Sequence, residues 1–118
     1  MNLEQLFDLA PHGPDVFVGE GHEYPWGGLF GGHIVAQALR AAAFTVSDEL
    51  LPHSLRAYFI RRGDNTQPVR YEVDRIRDGK SFTTRRVVAR QQDGAILNLE
   101  ASFQVLEDSL NEQLVHPQ

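Results

Sequence analysis

The second half of the chain alternates. In "SLRAYFI", Leu55, Ala57 and Phe59 stand on one side and Arg56 and Tyr58 on the other; in "VRYEVDRI", Val69, Tyr71 and Val73 oppose Arg70, Glu72 and Asp74. "AILNLEASFQV" keeps the pattern longest, with Ala95, Leu97, Leu99, Ala101, Phe103 and Val105 against Asn98, Glu100, Ser102 and Gln104. A period of two with one polar face predicts an antiparallel sheet whose other face is covered. "SFTTRRVVARQQ" supplies a further strand between the turn signals Asp78-Gly79 and Asp93-Gly94, where both central positions tolerate positive φ.

The first half follows another period. From Gly32 to about Val46, the positions Ile34, Val35, Ala38, Leu39, Ala41 and Ala42 recur with helical spacing and form an apolar stripe too wide for a surface helix. Its alanines let a second layer pack very close, which predicts a buried central helix. Ahead of it, "DVFVGEG" reads as a short strand closed by glycines. Leu3, Leu6, Phe7 and Ala10 fit one face of an N-terminal helix that Pro11 and Gly13 stop. One strand, one buried helix and an antiparallel meander make an α+β domain in which a curled sheet receives the helix on its concave face. The expectation is one domain over 1–118, with 1–13 an N-terminal helix and loop and 106–118 a polar tail.

Composition narrows the function. A chain of 118 residues buries roughly two-thirds of its unfolded surface, enough for a core without staples. The formal net charge of −5 argues against nucleic acid as a partner, since phosphate contacts need a basic surface. There is no cysteine, which excludes disulfides, thiolate metal sites and a cysteine nucleophile and suits a cytoplasmic location. The opening "MNLEQLFDLAPHG" is acidic with only a short apolar stretch, unlike a signal peptide, and no apolar run has the length of a membrane span. The five histidines are scattered without ligand spacing, so no metal is expected. "GGLFGGH" lacks the Gly-Lys-Ser/Thr ending of a phosphate loop and the glycine spacing of a dinucleotide fold.

Three stretches, in order, carry a resemblance: "FGGHIVAQALRAA" (30–42), "PHSLRAYFIRRGD" (52–64) and "VRYEVDRIRDGKSFTTRRVVARQQDGAILNLEASFQ" (69–104). Together they resemble the N-terminal repeat of the type II acyl-CoA thioesterases, which have the hotdog fold, a curved antiparallel sheet wrapped around a central α-helix. The resemblance implies hydrolysis of fatty acyl-CoA to free fatty acid and coenzyme A, with no cofactor beyond the coenzyme A of the substrate. It also implies side-by-side pairing of hotdogs into a homodimer or larger even oligomer, with sites near the seam and no membrane partner. Members of the family carry two hotdogs per chain. Their usual catalytic trio of an aspartate on the helix, a Ser or Thr, and a Gln lies in the second repeat. On the matching helix this chain has Gln37 where the second repeat has the aspartate.

With that resemblance, several residues become candidates. Gly31 and Gly32 are expected to open the helix, where unpaired N–H groups and the helix dipole would stabilise a thioester oxyanion; close helix–sheet packing would equally call for glycine. Gln37, the strongly polar residue in the stripe, would orient water or thioester, or be satisfied by a partner subunit. His53 would serve as base or orienting donor, or hold a loop, and His33 near the helix start is a weaker substrate contact. Ser81, Thr83 and Thr84 occupy the segment where the second repeat holds its hydroxyl. Arg61, Arg62, Arg85, Arg86 and Arg90 form a group whose guanidinium forks suit the phosphates of coenzyme A. Glu23 and Glu100 are the carboxylates considered for activating water. Taken together, Gln37, His53 and Gly32 are expected to be catalytic and Gly31, His33, Ser81, Thr83, Arg85 and Arg86 substrate-binding. The competing reading is a non-catalytic acyl-CoA-binding module, or one part of a two-chain thioesterase.

Overall fold

The structure, a computed structural model, describes residues 9–20 and 27–105, with side chains for all of these except 27–30. Among the described residues, six strands and one helix follow each other as β1 (Leu9–Pro11), β2 (Val16–Gly19), α1 (Gly27–Ala43), β3 (Leu50–Phe59), β4 (Val69–Asp78), β5 (Phe82–Gln91) and β6 (Gly94–Val105). The strands form one sheet in the order β1-β2-β4-β5-β6-β3, with every neighbouring pair antiparallel.

Register turns the period-two pattern into a core. Tyr71, Ala89 and Leu97 lie side by side across β4, β5 and β6, and Val73, Val87 and Leu99 form the next row. Their side chains face α1, whose Ile34, Ala38, Ala41 and Ala42 are buried against them. Three of those four helix residues are alanine, so the helix backbone sits close to the sheet. Burial of this apolar face, at about 25 cal/mol per Å², is what holds helix to sheet.

β3 differs. It pairs with β6 and, among the described residues, has no strand on its other side. The Ile60 N–H donates to the Ile96 carbonyl at 2.9 Å, so by antiparallel alternation the backbone groups of Phe59, Ala57 and Leu55 point out of the sheet. Leu55 and Phe59 share the phase expected to face inward, yet they stay 44% and 57% exposed at this edge.

Three expectations are corrected. Leu9–Pro11 belong to a strand, with Ala10 opposite Val18, rather than to the end of an N-terminal helix. A three-residue strand is too short to show a period, and pairing with β2 together with burial of Leu9 decides it. The rest of that expected helix, residues 1–8, and the tail 106–118 lie outside the described residues. Second, α1 begins at Gly27, five residues before the expected start at Gly32; propensity is a weak local preference and does not bar glycine from a helix. Third, Gly79 is not needed for a positive φ. Its N–H donates to the Phe82 carbonyl at 2.8 Å, and an added Cβ would stand 2.6 Å from that oxygen. Gly94 does take the left-handed region, at φ 121°.

Candidate functional site at the two ends of the helix

A basin of ≈ 680 Å³ opens beside the N-terminal part of α1. Gly31 and Ile34 form one wall, Phe59 and Ile60 another, and the β3–β4 loop from Arg61 to Asn65 closes the side. Gly31 has no side chain where one would stand 3.5 Å from the Phe59 ring, so the aromatic wall approaches the helix there. The loop has its own internal logic. The Asp64 carboxylate accepts from the Thr66 hydroxyl at 2.6 Å and the Thr66 N–H at 2.9 Å. These bonds, the hydroxyl's first, hold the Asp64 carboxyl below its usual range. Arg61 donates to the Asp93 carbonyl at 2.6 Å in the β5–β6 turn. Arg62, beside it in the basin wall, has no hydrogen bond or ion pair among the described residues. The first turn of α1, from Gly27, has N–H groups without intrahelical partners, and the helix dipole gives this end a partial positive charge.

The opposite end of α1 is closed. Arg85 is 1% exposed, and its guanidinium donates to the Thr45 hydroxyl at 2.7 Å, the Thr45 carbonyl at 3.0 Å and the Asp78 carboxylate at 2.7 Å. Thr45 in turn donates to the Ala42 carbonyl at 2.8 Å. The network thus ties the helix end to β5 and to the end of β4. Outside it runs a second, more apolar groove of ≈ 1090 Å³ between Leu39, Ala43 and Phe44 on the helix side and Leu50, Leu51 and Phe103 on the sheet side.

The comparisons with known proteins agree with this architecture. The family model described as the acyl-CoA thioesterase N-terminal domain matches residues 22–104. The chain belongs to that family. Human (Homo sapiens) acyl-coenzyme A thioesterase 8 is 45% identical over 104 residues, which is 88% of this chain and 33% of the human protein. The acyl-CoA thioesterase II TesB2 from Mycobacterium marinum superposes with a TM-score of 0.82 at 38% identity, over 88% of this chain and 39% of that one. A hot dog fold protein from Alicyclobacillus acidocaldarius, 21% identical, matches with a TM-score of 0.72 over 86% of this chain and 38% of its own, and shows the fold alone. The fold is the hotdog. The chain spans 33% to 39% of the length of these relatives.

Within this N-terminal domain the candidate residues separate. Gly31 lines the basin, Gly32 is exposed beside it, and His33 is buried. Gly31 and Gly32 do not open the helix, however; they lie in its second turn, so their N–H groups are committed to the carbonyls of residues 27 and 28. They therefore do not offer the free N–H groups that the oxyanion role expected of them needs. Gln37 is 2% exposed, accepts from the Tyr71 hydroxyl at 2.6 Å and lies against Gly19, where an added Cβ would meet its Cδ and Nε2 at 2.9 Å. It lines neither concavity.

His53, Ser81, Thr83 and Arg85 gather at the closed end. His53 is exposed at a β3 irregularity and meets the Phe82 ring edge-on at 6.3 Å. Six residues of strand, roughly 20 Å, separate it from Phe59 at the basin. Ser81 is exposed in the β4–β5 turn, and Thr83 is buried opposite Phe103. Arg85, expected to meet substrate, is enclosed by the fold and inaccessible to a nucleotide. Arg86 lies on the outer sheet face, where its Nε is buried without a partner among the described residues. Glu100, considered for water activation, is opposite Arg56 and Arg86 on that same outer face, away from α1. Glu23 lies outside the described residues.

Sequence reasoning missed the basin wall, Phe59 to Asn65, as a unit. Its signal was present: strand alternation breaks at Ile60, and two arginines, a glycine and Asp64 follow directly. For Arg85 the signal was phase, since it alternates in step with Val87 and Ala89, the buried series of β5.

Proposed function

We propose that this domain takes part in hydrolysis of fatty acyl-CoA thioesters, with water and the thioester giving free acid and the thiol of coenzyme A, and that the basin is where the thioester binds. The observation that carries the reading is the basin itself, in a chain of this family: apolar walls from Ile34, Phe59 and Ile60, the second turn of α1 at Gly31, and Arg62, which has no partner among the described residues, in one cavity. The apolar walls suit acyl or pantetheine chain, Arg62 suits a coenzyme A phosphate, and the helix start suits an oxygen gaining negative charge. No cofactor enters this chemistry beyond the coenzyme A of the substrate. A cysteine-free chain suits the cytoplasm and fatty acid metabolism there; among the described residues no helix is long and apolar enough to cross a membrane.

Among the described residues the basin wall offers no strong base. The carboxylate in the basin wall is Asp64, and its bonds from Thr66 make it a weak base. The unpaired edge of β3, with Leu51, Leu55, Tyr58 and Phe59 exposed along it, suits a second hotdog, from a further copy or a further repeat. Antiparallel pairing there would set the closed end of one hotdog beside the basin of the other. The second reading, an acyl-CoA-holding repeat whose partner supplies the base, is favoured by the same weakness of Asp64. Release of coenzyme A thiol from short-, medium- and long-chain acyl-CoAs, with solution mass measured on the same sample, separates the two. Turnover by an even oligomer supports hydrolysis by this chain. A raised Tm with acyl-CoA and no thiol release supports the holding role, and neither binding nor release overturns both.

A further inference from the structure

The basin wall is a loop, and one side chain outside it holds its shape. Gln91 ends β5, continuing the inward series Thr83, Arg85, Val87 and Ala89 past the reach of the helix. Its Oε1 accepts from the Asp64 N–H at 2.8 Å, and its Nε2 donates to the Asp64 carbonyl at 2.6 Å and the Gln67 carbonyl at 3.3 Å. A carboxamide both donates and accepts, so it can satisfy an N–H and two carbonyls of one turn together; a carboxylate, an ammonium or a hydroxyl cannot match that set. Two other bonds fix the loop nearby: Ile60 N–H to the Ile96 carbonyl at 2.9 Å and Arg61 to the Asp93 carbonyl at 2.6 Å.

We propose that Gln91 is a positioning residue for acyl-CoA binding: it clamps the 64–67 turn to the end of the sheet, and so fixes where Arg62 and Asn65 stand in the basin. The division of labour between the adjacent arginines follows. Arg61 is committed to the turn at Asp93 and serves the frame, while Arg62 is left for an anion. This rests on the reading of the basin as the acyl-CoA site, and its test has a readout that does not. Amide hydrogen exchange of residues 63–67 is compared between the full chain and two variants, Gln91→Leu and Gln91→Glu. The second stays polar should the first fail to fold. Each loses the donor bonds, so exchange is expected to rise about tenfold, with a small change in Tm.

In the same samples, the Kd for coenzyme A and the KM for a medium-chain acyl-CoA are expected to rise about fivefold to tenfold, with kcat within a factor of two. Unchanged exchange overturns the clamp. Faster exchange with unchanged Kd and KM overturns its role in binding, as does a fall in kcat alone. Wild-type protein that neither binds coenzyme A nor consumes the thioester overturns the functional reading and the assignment of Gln91 to substrate with it. That outcome is recognisable because the exchange difference between wild type and variants would persist.

Discussion

The two ends of α1 contrast. At the C-terminal end a charged residue is fully enclosed and each neighbour it meets belongs to the frame: Thr45, Asp78 and the carbonyl oxygens around them. At the N-terminal end an arginine stands in the wall of an open basin without a partner among the described residues. Arg85 lies within β5 and Arg62 just after β3, and composition cannot tell them apart. What separates them is satisfaction: a buried guanidinium must have its donors paired by the fold, whereas an unpaired one at a cavity is available to a ligand. Sequence-level grouping of the arginines as phosphate binders therefore joined residues with opposite tasks.

The strongest way to break the contrast is Arg85→Ala. It leaves a cavity and strips Thr45 of two bonds, so chemical denaturation is expected to show a loss of about 3 kcal/mol. A loss below about 1 kcal/mol would mean that the closed end is not a structural lock. Next comes Gly19→Ala, which forces a methyl group onto the buried Gln37 amide; that amide is held by Tyr71 and cannot swing away freely. Overpacking here should cost about 1–3 kcal/mol in the same assay. Wild-type stability would show that β2 can shift off the helix.

Arg62→Gln sharpens the open end. With no partner among the described residues, its loss should leave Tm unchanged and weaken coenzyme A binding about tenfold, the worth of one charge-assisted contact. A drop in Tm with unchanged affinity would reverse the contrast. The smallest effect expected concerns the β2 end of the sheet. Asp15 accepts two bonds from Arg75, at 2.8 Å and 3.0 Å, and the Arg75 bond, then its charge, hold the Asp15 carboxyl below its ordinary value of 3.8 despite some desolvation. A depressed folded pKa means stability that is present above pH 3.8 and lost as pH falls through the lower folded value. Arg75 is exposed, so solvent screening keeps the contribution of the pair small. Asp15→Asn, which also tolerates the left-handed φ of 57° at this position, should remove that acid-side step from a pH series of denaturation midpoints. A step of the same size in the variant would assign it to another carboxylate.

Much of the fold was legible because period is a local property. Leu97, Leu99, Ala101 and Phe103 alternate in the sequence and are all buried, and Ala38, Ala41 and Ala42 recur with helical spacing and are buried too. Family membership was legible for a related reason, since three ordered stretches carry it. The candidate site was read less well. His53, Ser81 and Thr83 were joined to Gly31 and Gly32 by the resemblance, yet the helix holds the two groups apart: its 17 residues extend about 25 Å.

The sequence by itself determined one helix, the antiparallel strands and which face of each is apolar, because side-chain direction follows from local periods of 3.6 and 2. Only the tertiary structure decided that Leu9–Pro11 pair as a strand and that α1 starts at Gly27. It alone decided that Arg85 is enclosed while Arg62 is open, and that Gln91 clamps a loop 27 residues away in sequence. These depend on which distant groups meet, and hydrogen-bond satisfaction across the sheet is a property of the whole packing rather than of any local pattern.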